Sequence, residues 1–407
     1  MRLTLLRFST VSAALLASAS AVPAMAAPGD PIAVRDGITI DPIIAARLRY
    51  ESVDQDNALR NADALTARLR AGAEVKVEGF SLLLEGEGTA ALIDDYNDTL
   101  LRNGVEPYSV VADPETLELN RAQIAYSTGA TTITAGRQRI VLDDARFVGN
   151  VIWRQNEQTY DAVRLTSKAG PVSIDATYAG SQRTVFGNHS PNEHFDGDMV
   201  FLNSGVKLAQ IDVKAFAYLI DYDDRIAFSS QTYGLMSKGS IPLGSLALNF
   251  MARAATQSDY KDNPASYSAP YFNGELGASV AGFSLAGGYE ELGSDEGVAA
   301  FQTPLATLHA FNGWADLFLT TPATGLRDYY ARVGKAIPVP GLATFNATLV
   351  YHQFDSDFGS IDYGSEWDAQ IGLNVGSIAL LAKYANYNAK SFAVDTEKFW
   401  LQAELNF

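Results

Sequence analysis

The chain has 407 residues, 47% of them hydrophobic and 19% charged, with a mean hydropathy of −0.02. The 47 acidic residues outnumber the 30 basic ones, and the net charge of −17 argues against nucleic acid as a partner. Cysteine is absent, so an exported form gains no stability from disulfides. A closed β-barrel, which is stabilised by burial and hydrogen bonding alone, meets this condition.

The first 26 residues have the pattern of a secretory signal peptide. Arg2 and Arg7 precede an apolar and small-residue stretch, Phe8 to Val22, and Ala24-Met25-Ala26 has the small-x-small form of a cleavage site. We expect cleavage near Ala26 and a short periplasmic lead-in at residues 27–40. An uncleaved membrane anchor is the alternative, although the apolar run is short for one.

Beyond residue 26, apolar and polar residues alternate along the chain, with no second run of 18 apolar residues. The alternation is clear in Leu65–Val77, Val172–Tyr178, Ala343–His352, Glu366–Val375 and Phe399–Phe407. An alternation of apolar and polar residues with a period of two, kept over roughly ten residues, is typical of a tilted membrane strand. One face of such a strand contacts lipid and the other faces a water-filled lumen. The pattern predicts an all-β fold, a transmembrane antiparallel β-barrel of the bacterial outer membrane. A soluble sandwich or solenoid is the alternative.

The connections between these segments differ in length. Short turns with glycine stand at 78–79, 128–129, 168–171, 281–282 and 375–376, and long polar connections at 91–115, 141–157, 183–197, 256–269 and 355–363. This asymmetry is typical of short periplasmic turns and longer outer loops. Outer-membrane lipid and lipopolysaccharide are therefore expected partners.

One domain, residues 27–407, is predicted. From about residue 41 onward we count about 19 candidate strands, whereas a single-chain bacterial barrel has an even number. The ambiguous stretch is 293–325, where strand and loop signals are mixed. We predict 18 strands, with 16 as the alternative, and either number leaves room for an aqueous channel.

The last nine residues carry the clearest strand signal. One face consists of Phe399, Leu401, Ala403, Leu405 and Phe407, and the other of Trp400, Gln402, Glu404 and Asn406. A final strand that ends in an aromatic residue is typical of bacterial outer-membrane barrels. We expect the barrel-assembly machinery to be a partner through this strand and Phe407.

Arginine is unevenly distributed. Of the 18 arginines after residue 26, 13 lie between residues 27 and 170. Seven lie on the polar face of a predicted strand: Arg47, Arg49, Arg68, Arg70, Arg121, Arg137 and Arg139. A charge that faced lipid would cost about 2–4 kcal/mol at the midplane. These side chains are therefore predicted to point inward. Arg137 and Arg139 are predicted to share one face just before an inward loop at 141–157, which carries Arg146 and Arg154.

Such a basic arc would favour an anionic solute. Guanidinium groups bind carboxylates through two parallel hydrogen bonds and do not deprotonate. The alternative is that the arginines pair with lumenal carboxylates and hold the barrel wall in shape. The carboxylates available for this are Glu74, Glu85, Glu87, Glu118 and Asp161.

Two stretches resemble the alginate-export family of outer-membrane barrels. The first is Gly136–Asn150 with Trp153–Asn156 and Tyr160–Val163, and the second is His309–Asp316 with Thr321-Pro322 and Gly325–Tyr329. The resemblance implies a monomeric 18-stranded barrel whose arginine-rich lumen passes an anionic polyuronate. It also implies pore or constriction roles for Arg137, Arg139, Asp143, Asp144, Arg146 and Arg154.

The predicted function is a passive channel for anionic solutes, with a polyuronate or acidic oligosaccharide as the solute and no cofactor. A general porin for small hydrophilic solutes and a plugged structural barrel are the alternatives. An enzyme is not predicted, because none of the four histidines lies beside a Gly-x-Ser-x-Gly motif and cysteine is absent. The segment His189–His194 lacks the spacing of a metal site, and no metal is predicted.

Overall fold

The computed structural model describes residues 31–35, 37–339 and 343–406. The predicted signal peptide (1–26) and Phe407 lie outside the described residues, so the expectations attached to them stay predictions. Within the predicted lead-in, a short strand, Ile32–Arg35, pairs with the beginning of the first barrel strand at Ile38–Ile40.

Eighteen long strands form the barrel wall. In chain order they are β1 Ile38–Gln55, β2 Ala62–Val77, β3 Phe80–Asp95, β4 Thr116–Thr128, β5 Thr131–Gln138, β6 Thr159–Ala169, β7 Val172–Arg183, β8 His194–Leu208, β9 Ile211–Tyr222, β10 Ser230–Leu243, β11 Leu246–Asp259, β12 Ser268–Val280, β13 Phe283–Leu292, β14 Leu326–Val339, β15 Ala343–Asp355, β16 Asp362–Val375, β17 Ile378–Ala389 and β18 Thr396–Asn406. Each is antiparallel to the next, and β18 pairs with β1, which closes the sheet. The prediction of 18 strands is confirmed.

Two-residue turns lie at one end of the barrel and longer loops at the other. In the turn at 78–79, Glu78 and Gly79 have φ of 46° and 87°. A tight type I′ hairpin turn requires positive φ at both positions, and glycine adopts it without steric cost. The other two-residue turns are 129–130, 170–171, 209–210, 244–245, 281–282 and 376–377. The turns at 209–210 and 244–245 are absent from the predicted set. The asymmetry itself is as predicted, and the short turns mark the periplasmic end.

The ambiguous stretch 293–325 is a single connection between β13 and β14. It contains two two-residue strands that pair with each other, Ser294–Asp295 and Ala299–Ala300, and a 3-10 turn, Leu308–Ala310. The surplus candidate strand was therefore a loop. Predicted boundaries also shift, since β3 continues to Asp95 and its loop begins at residue 96. None of the helical turns in the described part of the chain is long and apolar enough to cross a membrane.

The two faces of the wall differ as the alternation predicts. Leu48 and Leu84 expose 44% and 52% of their surfaces, while their strand neighbours Arg49 and Glu85 expose 1% and 2%. Other exposed apolar side chains continue the outer face: Leu69, Leu117, Ile124, Val163, Leu202, Leu235, Leu276, Leu285, Leu349, Ile371 and Leu401. Such an apolar belt is stable only in contact with lipid. The protein is an outer-membrane barrel.

Two loops fold into the barrel and fill much of it. The first inward loop (139–158) follows β5, and the second inward loop (293–325) follows β13. Backbone hydrogen bonds join them, from Gly149 N–H to Leu305 O at 2.8 Å and from Thr307 N–H to Ala145 O at 2.9 Å. Buried apolar side chains of both loops pack against inward residues of the wall, including Phe201, Phe216, Tyr218, Tyr271, Phe354, Tyr387 and Trp400. The core of this protein therefore lies inside the barrel.

A pair of substitutions tests the orientation of the wall. Arginine at Leu349, whose side chain faces lipid from β15, should destabilise the barrel by about 2–4 kcal/mol. Arginine at Gln370 on β16, which shares its strand face with the buried Asp368, should cost much less because the lumen is polar. Urea unfolding of the refolded barrel in lipid vesicles measures both. Equal losses would contradict the assigned faces.

Candidate pore constriction

Arginines of β1 and β2 form the centre of the lumenal site. Arg47 and Arg68 lie directly opposite each other across the two strands, and both are buried. Side chains at i and i+2 share a strand face, so Arg49 and Arg70 extend the same patch. Glu404 on β18 accepts two hydrogen bonds from Arg47, at 2.9 and 3.1 Å, and one from Arg68 at 3.2 Å. One carboxylate thus serves two guanidinium groups.

Not every nitrogen in this patch is satisfied. The Nε and Nη1 of Arg68 and the Nη1 of Arg49 are buried without a hydrogen-bond partner among the described residues. Arg49 donates to Gln402, lies 4.1 Å from the ring centre of Trp153, and has Asp113 at 3.6 Å. A buried donor without an acceptor is unfavourable, so the N–H groups of Arg68 would gain from an anion or water, whereas Arg49 Nη1 already faces the Asp113 carboxylate.

Glu157, at the end of the first inward loop, connects the patch to the arginine that follows β5. Its Oε2 accepts from Arg139 at 2.7 Å and from Asn150 at 2.8 Å, and Arg70 lies 3.6 Å away. Burial by itself would raise the pKa of Glu157, but Arg70 and Arg139 hold it well below its ordinary value. Glu157 is therefore ionised at neutral pH.

Two arginines of this region keep partial solvent access. The side chains of Arg121 and Arg139 are 15% and 30% exposed, whereas those of Arg49 and Arg68 are fully buried. Arg121 donates to both oxygens of Glu85, at 2.7 and 2.9 Å, in the two-point geometry of guanidinium and carboxylate. Arg121 and Arg139 are the predicted arginines that a solute in the lumen could touch directly.

Arg137 does not join this cluster. It pairs with Asp161 at 2.8 Å and donates to the backbone carbonyl of Leu119 at 3.2 Å. Within β5 it shares a face with Ile133, whose side chain is 48% exposed on the lipid-facing side. The expectation that Arg137 and Arg139 share one lumenal face was wrong, because β5 ends at Gln138 and Arg139 already belongs to the loop.

The predicted residues of the first inward loop are all held in ion pairs. Asp143 contacts Lys214, Asp144 accepts from Arg253 at 2.7 Å, and Arg146 donates to Glu290 at 2.6 Å. Arg154 bonds to Glu51 at 3.1 Å and lies 3.4 Å from Asp316. Burial would raise the pKa of Asp144, but Arg253 lowers it below its usual range. Their evident role is to anchor the loop across the barrel.

The second inward loop supplies residues that the sequence pattern did not identify. The ring of His309 stacks on Trp153 at 4.2 Å, its Nδ1 lies 2.8 Å from Asp316, and its Nε2 lies 2.6 Å from Lys383. Burial holds the pKa of His309 well below its ordinary value, so the ring is neutral. Nδ1–H therefore donates to Asp316, while Nε2 accepts from the lysine. The stretch His309–Asp316 belongs to the second stretch that resembles the alginate-export family, but no feature of its sequence predicts an inward fold.

Most lumenal arginines are therefore paired, as the alternative interpretation expected. Glu85 forms an ion pair with Arg121, and Glu87 forms one with Arg70. Glu118 lies 3.9 Å from Arg183. Glu74 instead contacts Lys76 at 3.1 Å. Within the cluster of β1 and β2, Arg47 and Arg68 share a single carboxylate, Glu404, and so leave a positive excess there.

No family model and no curated protein sequence matches the chain. Among solved structures, Pseudomonas aeruginosa OccK9 (OpdG) superposes with a TM-score of 0.72 at 14% identity, over 91% of this chain and 99% of that one. Acinetobacter baumannii OccAB2 superposes with a TM-score of 0.70 at 16% identity, over 90% of this chain and 98% of that one. The outer membrane protein opdK from Pseudomonas aeruginosa superposes with a TM-score of 0.68 at 11% identity, over 90% of this chain and 98% of that one. These comparisons do not support the resemblance to the alginate-export family. The fold is that of a porin-like outer-membrane barrel with 18 strands.

Proposed function

We propose that this protein is a passive outer-membrane channel for small hydrophilic solutes, with a preference for anions that carry carboxylate groups. The observation that carries the proposal is the packing of the first inward loop against the arginines of β1 and β2: Arg47 donates to the carbonyls of Ile152 and Arg154, and Arg70 lies 3.6 Å from Glu157. The second inward loop braces the first through Asp316 and Arg154. There the lumen is narrowed beside cationic side chains. No catalytic step and no cofactor belong to this proposal.

The preference for anions rests on the charge balance of the constriction. Arg47 and Arg68 share one carboxylate, and two nitrogens of Arg68 have no hydrogen-bond acceptor among the described residues. Arg139 is the most exposed arginine of the cluster. A carboxylate passing here would meet the partly exposed guanidinium groups of Arg121 and Arg139, while the buried Arg47 and Arg68 add positive charge behind them. Because the remaining arginines are paired, the selectivity should be moderate.

Small solutes fit this interior better than a polyuronate does. The two inward loops are bonded to each other and packed against the wall by buried aromatic residues. A long polysaccharide would require both loops to move aside at a cost in buried contacts. A general porin is therefore favoured over alginate passage, while the basic arc still favours anions.

Planar-bilayer conductance of the refolded mature protein in a salt gradient tests the proposal. Steady, moderately anion-selective current that a small dicarboxylate reduces is the expected result. Block by an oligouronate but not by the dicarboxylate would instead favour a polysaccharide channel. Absence of current would contradict a channel and favour a plugged structural barrel.

Arg139→Gln should shift the reversal potential toward cations, whereas Arg137→Gln should leave it unchanged. Arg139 is the most exposed arginine of the constriction, whereas Arg137 pairs with Asp161 on the lipid-facing side of β5. Removing one unit charge near the path corresponds to about 1 kcal/mol at 4 Å in water, or about a fivefold change in the permeability ratio. Equal shifts in the two variants would show that both arginines line the path.

We also propose that the C-terminal strand engages the barrel-assembly machinery. In β18 the side chains of Phe399 and Leu401 face lipid while Trp400 is buried inside, which is the alternation expected of a terminal barrel strand. Deletion of Phe407 should lower the amount of folded barrel in the outer membrane without altering the conductance of the channels that do form. Normal membrane levels would argue against this role.

A further inference from the structure

The outer wall between β12 and β16 carries an apolar groove of about 530 Å³. One row of directly opposed residues crosses it: Leu276, Gly287, Ala331, Tyr351 and Trp367. Gly287 and Ala331 form the floor because they have little or no side chain. A Cβ added at Gly287 would meet nothing closer than 3.9 Å. Leu276 bounds one side, and the paired rings of Tyr351 and Trp367, 4.8 Å apart, bound the other.

Toward the periplasmic end the groove meets a lysine. Lys335 lies two positions after Val333 and four after Ala331, on the same face of β14. Its Nζ lies 3.5 Å from the ring centre of Phe283 and donates to the carbonyl of Ala281 at 2.9 Å. Ala281 belongs to a short turn, so the ammonium group lies at the periplasmic edge of the lipid-facing wall.

The other end of the groove is closed by tyrosines. Tyr289 and Tyr329, directly opposed on β13 and β14, have ring centres 5.0 Å apart. The groove therefore has an apolar floor, an aromatic boundary toward the outer surface and the Lys335 ammonium beyond its periplasmic end; Arg332, which also borders it, is paired with Glu275. Ala331 and Lys335 are about 13 Å apart along the strand, at 3.3 Å per residue.

We propose that this groove binds one phospholipid of the periplasmic leaflet. An acyl chain would lie along Gly287 and Ala331, and the phosphate would contact the Lys335 ammonium. The charge complementarity decides the occupant, because an outward-facing cation at the membrane edge is stabilised by an anionic headgroup. A second copy of the barrel would present apolar side chains to the groove and would leave Lys335 without an anion. The inference is independent of channel activity.

Native mass spectrometry of the detergent-solubilised barrel titrated with phosphatidylglycerol tests the site. The wild-type barrel should retain one lipid at activation energies that strip the others. Ala331→Leu, which fills the floor, and Lys335→Gln, which removes the cation, should each lower that retention at least several-fold. Ala67→Leu on the outward face of β2 and Lys76→Gln, whose lysine contacts Glu74, serve as matched controls and should behave as wild type. Heat-modifiable migration on gels verifies that every variant is folded.

Three results would overturn the proposal. Undiminished retention in Ala331→Leu would mean that no lipid occupies the groove. Loss in Ala331→Leu with no change in Lys335→Gln would refute the headgroup contact, and with it the assignment to a phospholipid. A dimer that disappears in Ala331→Leu would identify a second copy of the chain as the occupant.

Discussion

Replacing Arg146 by methionine is expected to raise the single-channel conductance several-fold while the barrel stays folded. Arg146 is 1% exposed and joins both inward loops to the wall, through Glu290 at 2.6 Å, Thr303 at 3.2 Å and Asn312 at 2.9 Å. Removing one partner of a buried ion pair costs about 3–5 kcal/mol because the remaining charge is left uncompensated. The closed ladder of 18 strands does not depend on this pair, so the cost falls on the loops.

The matched control for this experiment is Arg327→Met. Arg327 also pairs with carboxylates, Glu291 at 3.1 Å and Asp357, but its side chain is 36% exposed and lies outside the inward loops. Its replacement should leave the conductance within the wild-type range. If Arg146→Met conducts like the wild type and its loops resist protease as before, then the inward loops do not restrict the path.

Glu157→Gln should increase the ratio of anion to cation permeability by about fivefold. This estimate corresponds to about 1 kcal/mol, the interaction energy of two unit charges 4 Å apart in water. Glutamine keeps the size of the side chain and one oxygen acceptor but removes the charge that neutralises Arg70 and Arg139. The reversal potential in a salt gradient measures the ratio. Glu291→Gln, which removes a carboxylate paired with Arg327 near the outer loops, should leave the ratio unchanged. A shift toward cations in Glu157→Gln would refute the assigned role of the arginines.

The acidity of Glu157 also sets the pH range of this effect. Arg70 and Arg139 outweigh burial, which acts in the opposite direction, and hold its pKa well below the ordinary value of 4.5. A carboxyl whose pKa is lowered in the folded state contributes stability above its unfolded value and loses it as the pH falls through the folded value. Selectivity of the wild-type channel should therefore be constant from pH 7 to about pH 5 as far as Glu157 is concerned. A change of selectivity with a midpoint near 4.5 that Glu157→Gln abolishes would contradict this assignment.

The wall of the barrel could be predicted from the sequence because each strand obeys a local rule. A charge that faced lipid would be unfavourable, so the alternation around Leu48 and Leu84 determines which side chains point inward. The placement of Arg47, Arg49, Arg68 and Arg70 inside the barrel follows from the same rule and agrees with the structure. The rule fails for Arg137, near the end of β5, where the wall gives way to a loop.

The interior could not be predicted in this way, because its contacts join residues that are far apart in the chain. Arg146 meets Glu290 across 144 positions, and Arg154 meets Glu51 across 103. No periodicity marks such pairs, so the sequence left open whether the loop arginines are free or paired. The second inward loop carried mixed strand and loop signals, which is why the number of candidate strands in 293–325 stayed ambiguous.

By itself, the sequence determined the alternation, the short turns and the inward position of most arginines, because lipid outside and water inside act on each residue separately. Only the tertiary structure decided which arginines keep an unpaired N–H and which are neutralised. Closing the sheet brings β18 beside β1, so that Glu404 reaches both Arg47 and Arg68. The charge available to a solute is the arginine charge that remains after these carboxylates have been paired. This excess exists only once the barrel is closed and both loops are in place.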